Sequence, residues 1–115
     1  MSAQAPPGIT PEIEEFVNLA KAAWFYAGRP PVQVTSWWRS RRDNARVAGH
    51  PNSQHLTGLA LDVLPDRAGH AFAQMARAIG LVVVDEGDHF HVQRYLASPS
   101  RGLCCGLAVA VSQVR

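Results

Sequence analysis

The chain of 115 residues holds only two cysteines, Cys104 and Cys105, and they are neighbours. Adjacent cysteines seldom meet the geometry of a mutual disulfide, so no internal bridge is expected to staple the fold. They also lack the spaced partners of a thiolate zinc site, which leaves them as small apolar residues in a tail or, on oxidation, as an intermolecular link. Charge of one sign is scarce: 11 Lys and Arg against 9 Asp and Glu leave a net charge of +2. Arg39, Arg41, Arg42 and Arg46 form one local basic cluster, too small for a nucleic-acid surface, and no nucleic-acid partner is expected. Long hydrophobic runs are missing as well. The longest apolar stretch without charge, residues 102–111, is roughly half of a membrane span, so no membrane partner is expected. Residues 1–8 lack the charged start and apolar run of a secretory signal. Their Ala, Gln and Pro content reads as a flexible lead-in over residues 1–9. Internal repeats and low-complexity segments are absent too.

What is present is 47% hydrophobic content, enough for one core and one domain, placed at residues 10–96 with a tail of unassigned role at 97–115. Thr10, Pro11 and Glu12 combine an N-cap with proline at the first helical position, which predicts a helix starting there. Ile13, Phe16, Val17, Ala20, Ala23 and Trp24 recur at helical spacing and give it one buried stripe ending near Gly28. Pro30 and Pro31 prevent continuation. Val32 and Val34 alternate with Gln33 and Thr35, a short strand running into Ser36, Trp37 and Trp38, with Arg39 at or just past its end. The two tryptophans read as core anchors or as a substrate wall. Residues 41–47 predict a short helix closed by Gly49, followed by the loop His50, Pro51, Asn52 and Ser53, from which His55 emerges.

Leu59, Leu61 and Val63 occupy one face of a second strand, Ala60 and Asp62 the other. Asp66 caps a helix over residues 67–79, with Phe72, Met75, Ala76 and Ile79 buried and Gly80 as its stop. Residues 81–84 read as a strand, Asp85, Glu86, Gly87 and Asp88 as a tight turn, and residues 89–93 as a last strand. On that strand His89, His91 and Gln93 share one face, and Phe90 and Val92 point to the core. The order of elements predicts an α+β domain, a small antiparallel sheet with helices packed against it.

Two strands therefore carry metal-capable residues on faces the core does not need, Asp62 on one and His89 and His91 on the other. With His55 from the preceding loop they make a candidate pocket. Two imidazoles and one carboxylate form a catalytic zinc set, because three protein ligands leave a fourth position for water. His50 and His70 read as surface or satisfied core histidines, and Asp62 and Asp88, each taken alone, as a solvent-facing strand residue and a turn former.

The run Ser53-Gln54-His55-Leu56-Thr57-Gly58-Leu59-Ala60-Leu61-Asp62, with Asp88-His89-Phe90-His91 after it, resembles the M15 peptidases, within them subfamily A. These are zinc D-Ala-D-Ala carboxypeptidases and L-alanyl-D-glutamate peptidases. Their motifs are S-x-H-x-x-G-x-A-x-D and a later D/E-x-x-H or H-x-H. Thr35-Ser36-Trp37-Trp38-Arg39-Ser40 resembles that group's T-S-G-Y-R-S segment, with Trp37 in place of glycine, a departure that bears on the local turn and the pocket width. The resemblance implies that His55, Asp62 and His91 bind zinc and that Asp88 is the general base. Strict strand alternation places Asp88 on the opposite face from His91, so that role requires Asp88 to belong to the turn, and Asp85 and Glu86 are the substitutes. It also implies that Arg39 binds a substrate carboxylate or carbonyl oxygen and that His89 helps stabilise the oxyanion. The implied substrate is a peptide of bacterial peptidoglycan, cleaved by a monomer as carboxypeptidase or endopeptidase.

A non-haem iron oxygenase also uses two histidines and a carboxylate. Its first pair is His-x-Asp or Glu, whereas His55 and Asp62 are more widely spaced, and its barrel needs more strands than this length supplies. A non-catalytic wall-binding or phage structural module, with the metal as a staple, has no use for the carboxylate at position 88. The absence of a signal fits a phage or prophage lysin as well as a cytosolic bacterial protein.

Overall fold

The computed structural model describes residues 3–94; Cys104, Cys105 and the tail expected at residues 97–115 lie outside the described residues. Helix α1 runs over Pro11–Tyr26, and Thr10 caps it by accepting a hydrogen bond from the Ile13 N–H at 3.1 Å. Strand β1 (Val34–Ser36) and a short helix α2 (Arg41–Arg46), capped by Ser40, follow. A 3-10 turn over Gln54–Thr57 leads into strand β2 (Ala60–Val63). Helix α3 covers Arg67–Ala78 with Asp66 as its cap, and strands β3 (Val82–Asp85) and β4 (Phe90–Gln93) close the described chain as a hairpin. The four strands are antiparallel, in the order β1-β2-β4-β3. The fold is α+β, an open four-stranded sheet with helices against it.

One face of that sheet meets the two long helices. Phe16 and Ala23 of α1, Phe72, Ala73 and Ala76 of α3, Val63 of β2, and Phe90 and Val92 of β4 form a single buried cluster with Leu81. The strict alternation of β4 decides the division, because Phe90 and Val92 are buried while His91 and Gln93 turn to the opposite face. No helix among the described residues is long and apolar enough to cross a membrane.

Trp24 departs from the expected stripe. Its residue is 40% exposed, and its indole N–H donates to the Pro30 carbonyl at 2.7 Å. Helical spacing assigned it to the core, but it sits at the margin of the stripe, where the N–H is satisfied by the chain that leaves the helix. Val34 is exposed as well, since β1 is the edge of the sheet. His55, expected on an irregular loop, is held inside the 3-10 turn.

Gly69 shows how closely α3 approaches the strand that feeds it. A Cβ there would stand 1.8 Å from the Leu64 carbonyl oxygen, a backbone atom that cannot step aside. Alanine is the better helix former by about 1 kcal/mol, yet the overlap outweighs that gain. Gly69→Ala should therefore destabilise by roughly 1–3 kcal/mol, read as a fall in Tm. Gly87→Ala, in open space at φ +91° in the hairpin turn, should cost about 1–2 kcal/mol through backbone strain alone. A Tm for Gly69→Ala at or above wild type would show that the helix can slide away from Leu64.

Candidate metal centre

The pairing of β2 with β4 sets Asp62 directly opposite His91. Residues paired across an antiparallel ladder project from the same face with Cβ atoms about 4.5–5.5 Å apart, so register alone brings carboxylate and imidazole together. His55 arrives from the 3-10 turn, and this turn is fixed from outside. Arg39 N–H donates to the His55 carbonyl at 3.0 Å, the Trp37 indole N–H to the Gly58 carbonyl at 2.8 Å, and the Trp38 indole N–H to the Leu56 carbonyl at 3.1 Å. The segment after β1 is thus laced onto the turn that carries the histidine. It is also tied to the start of the described chain, where the Gln4 carbonyl accepts from the Trp38 N–H at 3.0 Å.

Three donor atoms converge. His55 Nε2 lies 3.1 Å and His91 Nδ1 3.2 Å from Asp62 Oδ1, and all three residues offer ligand atoms within 4.8 Å of one another. Donors bound at about 2.0–2.2 Å in a tetrahedral zinc site are roughly 3.3–3.6 Å apart; the two distances from Asp62 Oδ1 come close to that spacing, and the three donors stand near enough to converge on one ion. The far side of each ring is occupied. His55 Nδ1 donates to the Trp37 carbonyl at 2.5 Å, and His91 Nε2 donates to Gln93 Oε1 at 2.7 Å. Each bond places a proton on the outer nitrogen and leaves the inner one to face the ion, which is how protein metal sites fix their imidazoles. The chemistry of the donor set fits zinc.

The centre forms the floor of a polar cleft of about 590 Å³ whose wall includes Arg39, His50, Gln54, Glu86, His89 and Gln93. Arg39 is partly buried and held at each of its three nitrogens, with Nη2 3.1 Å from Asp62 Oδ2, Nη1 3.2 Å from Asn44 Oδ1, and Nε 3.2 Å from Ser36 Oγ. It is therefore no freely solvated charge. His89 lies beside the centre, its Nε2 3.7 Å from Asp62 Oδ1 and 3.0 Å from Glu86 Oε1. Asp88 stands apart: its side chain is 90% exposed, touches His89 Nδ1 at 2.6 Å, and does not line the cleft. The structure thus brings His55, Asp62, His91, Arg39 and His89 together and leaves Asp88 at the rim, while Glu86 reaches inside.

Trp37 and Trp38 do not border the cleft. The Trp37 ring faces a separate apolar hollow of about 500 Å³ between α1 and β1, so a bulky residue at this position does not narrow the cleft. His70 packs edge-on against Phe90 at 4.8 Å, and His50 accepts from the Asn52 N–H, so neither joins the ligand set. Sequence reasoning missed two contributors. Asn44 carries no motif that marks it. The Trp37 carbonyl belongs to the backbone, which no side-chain pattern reveals.

Without metal, the buried cluster balances its own charges. Burial pushes the Asp62 carboxyl up, but hydrogen bonds from His55 and His91 outweigh burial and hold it well below the ordinary 3.8. The bond to Asp62 raises His91 above its ordinary 6.5, against burial, and the contact with Gln93 adds to the rise. The Asp62 contribution to stability is present above 3.8 and is lost only in strong acid. The His91 contribution is complete below 6.5 and is lost as pH rises through the elevated value in the folded state. Metal-free protein should accordingly melt at a lower temperature at about pH 9 than at about pH 6. Affinity for a divalent metal should rise over the same interval, because His91 must shed the proton that occupies Nδ1. Calorimetry of chelated protein and metal titrations at both pH values check this; profiles that are flat in His91→Gln and equally flat in wild type would overturn it.

The family model described as Peptidase M15 matches residues 3–93, and the chain belongs to that family. A comparison with curated proteins gives no match.

Proposed function

We propose that this M15 peptidase is a zinc enzyme that hydrolyses a peptide bond in the stem peptides of bacterial peptidoglycan. The observation that carries the reading is the convergence of His55, Asp62 and His91 on the floor of an open polar cleft, with both imidazoles oriented from behind. A metal kept only to staple the fold needs no cleft above it. Membership of subfamily A, and the choice between carboxypeptidase and endopeptidase action, belong to the same proposal, as does action as a monomer, without nucleic-acid or membrane partners, in the setting of a phage or prophage lysin.

Zinc bound by these three residues supplies a Lewis acid for the scissile carbonyl and lowers the pKa of water towards about 7. The side chains around it supply the rest. Asp88 accepts the proton of the attacking water and passes it to the leaving amine, the work of a positioned general base. His89 donates towards the carbonyl oxygen as negative charge builds there. Arg39 offers the N–H groups not held by Asp62, Asn44 and Ser36 to a carboxylate or carbonyl oxygen of the substrate. For Asp88 this role requires the carboxylate to turn inward from His89 Nδ1. Glu86 is the second reading for the base, favoured by its place in the cleft wall and its contact with His89 Nε2.

Purified protein supplied with zinc should hold about one equivalent and cut peptidoglycan stem peptides, with mass spectrometry of the products identifying the bond. Chelation should abolish turnover. Intact stem peptides after digestion by zinc-loaded protein would sink the proposal.

Three variants separate the roles. His91→Ala should lose zinc and activity together. Asp88→Asn should keep zinc and lose turnover by on the order of a hundredfold or more. If Glu86→Gln shows that pattern and Asp88→Asn does not, the base is Glu86. If both keep zinc and full turnover, neither carboxylate is the base, and if Asp88→Asn loses zinc, Asp88 is a ligand.

A further inference from the structure

Asn44 is only 4% exposed, although it belongs to a six-residue helix whose other members are exposed or half-buried. A polar side chain withdrawn from water on so short an element needs compensating partners. Its partners all lead towards the metal centre or the loop beside it. Oδ1 accepts from Arg39 Nη1 at 3.2 Å, and Nδ2 donates to the His50 carbonyl at 2.9 Å. The Gly49 N–H donates to the Asn44 carbonyl at 2.8 Å, and a Cβ at Gly49 would stand 2.1 Å from Oδ1. The loop is therefore closed over the amide, and position 49 has no room for a side chain.

Beyond Asn44 the chain of contacts continues. Arg39 Nη2 holds Asp62 Oδ2 at 3.1 Å, while Asp62 Oδ1 faces His55 Nε2 and His91 Nδ1. The two oxygens of one carboxylate are thus divided between a guanidinium and the ligand cluster. We propose that Asn44 is a positioning residue of the metal centre: by fixing the guanidinium of Arg39, it holds Asp62 so that Oδ1 alone is offered to the metal. The inference rests on the metal-centre reading above and deepens it. It also gives Arg39 a second duty, towards the ligand as well as the substrate.

The alternative is that Asn44 only ties down residues 47–50 through the His50 carbonyl. A thermodynamic cycle distinguishes the two, since coupled residues show non-additive effects and independent ones add. Zinc affinity is measured by competition with a chromophoric chelator for wild type, Asn44→Ala, Arg39→Ala and the double variant. Loss of an outer partner of a ligand weakens metal binding by on the order of tenfold to a hundredfold; Arg39→Ala should fall in that range, and Asn44→Ala, one contact further out, near its lower end. The double variant should bind zinc no more weakly than Arg39→Ala alone. Asn44→Asp keeps an acceptor for Arg39 and should stay within about threefold of wild type on the same scale. If Asn44→Ala does not fold, Asn44→Asp alone decides, and a tenfold loss in it overturns the proposal. Zinc affinity unchanged in Asn44→Ala, or multiplicative effects in the double variant, overturns it equally. Wild-type protein that binds no zinc removes the metal-centre reading and this inference with it; normal wild-type binding with an unaffected Asn44→Ala removes the inference alone.

Discussion

Asp62 places a carboxylate in the body of the protein with 4% of the residue left to solvent. Withdrawing an isolated charge to that degree costs several kcal/mol per ion unless partners replace the lost water. Much of the surrounding architecture answers that demand. The ladder between β2 and β4 delivers His91, the 3-10 turn delivers His55, and the segment after β1 delivers Arg39. Each of these elements is itself secured by backbone or indole hydrogen bonds rather than by the carboxylate. The acid is accordingly received by a preformed setting, and that setting is also what a metal ion needs.

The same strands serve two incompatible environments. Val63, Phe90 and Val92 lie against α1 and α3, while Asp62 and His91 point through the other side of the sheet. A pleat that turns alternate residues to opposite faces makes this possible within four-residue strands. Hydrophobic burial on one side supplies the free energy that keeps a polar, charge-rich arrangement on the other from relaxing into water.

Much of this was legible in the residue pattern. Thr10 and Asp66 marked their helices because capping chemistry is local, and the alternation of β4 assigned His91 and Phe90 to their faces without any tertiary knowledge. The convergence of His55, Asp62 and His91 could be read because the three side chains are of types that bind metal and fall in a recognisable order. Trp24 misled because spacing gives an angle around the helix and not the depth of the neighbour it meets. Asn44 was invisible because its burial depends on a loop closing over it, and the Trp37 carbonyl because every residue has one. The inward reach of Glu86 against the outward position of Asp88 turns on the shape of a hairpin end that residue types alone do not define.

The hairpin of β3 and β4 joins neighbours in sequence, whereas β2 meets β4 only after the whole of α3 has been looped out between them. The first pairing closes a short loop and the second a long one, so the entropic cost of closure is higher for the second. The residues that meet across the second seam are Asp62 and His91. A slip of one position there would oppose Asp62 to Phe90 or Val92 and put the pair on one face, either an acid in the core or an apolar side chain in the cleft. The register of that seam is thereby specified by both faces of the sheet at once, and a chain that docks out of step gains little by staying there.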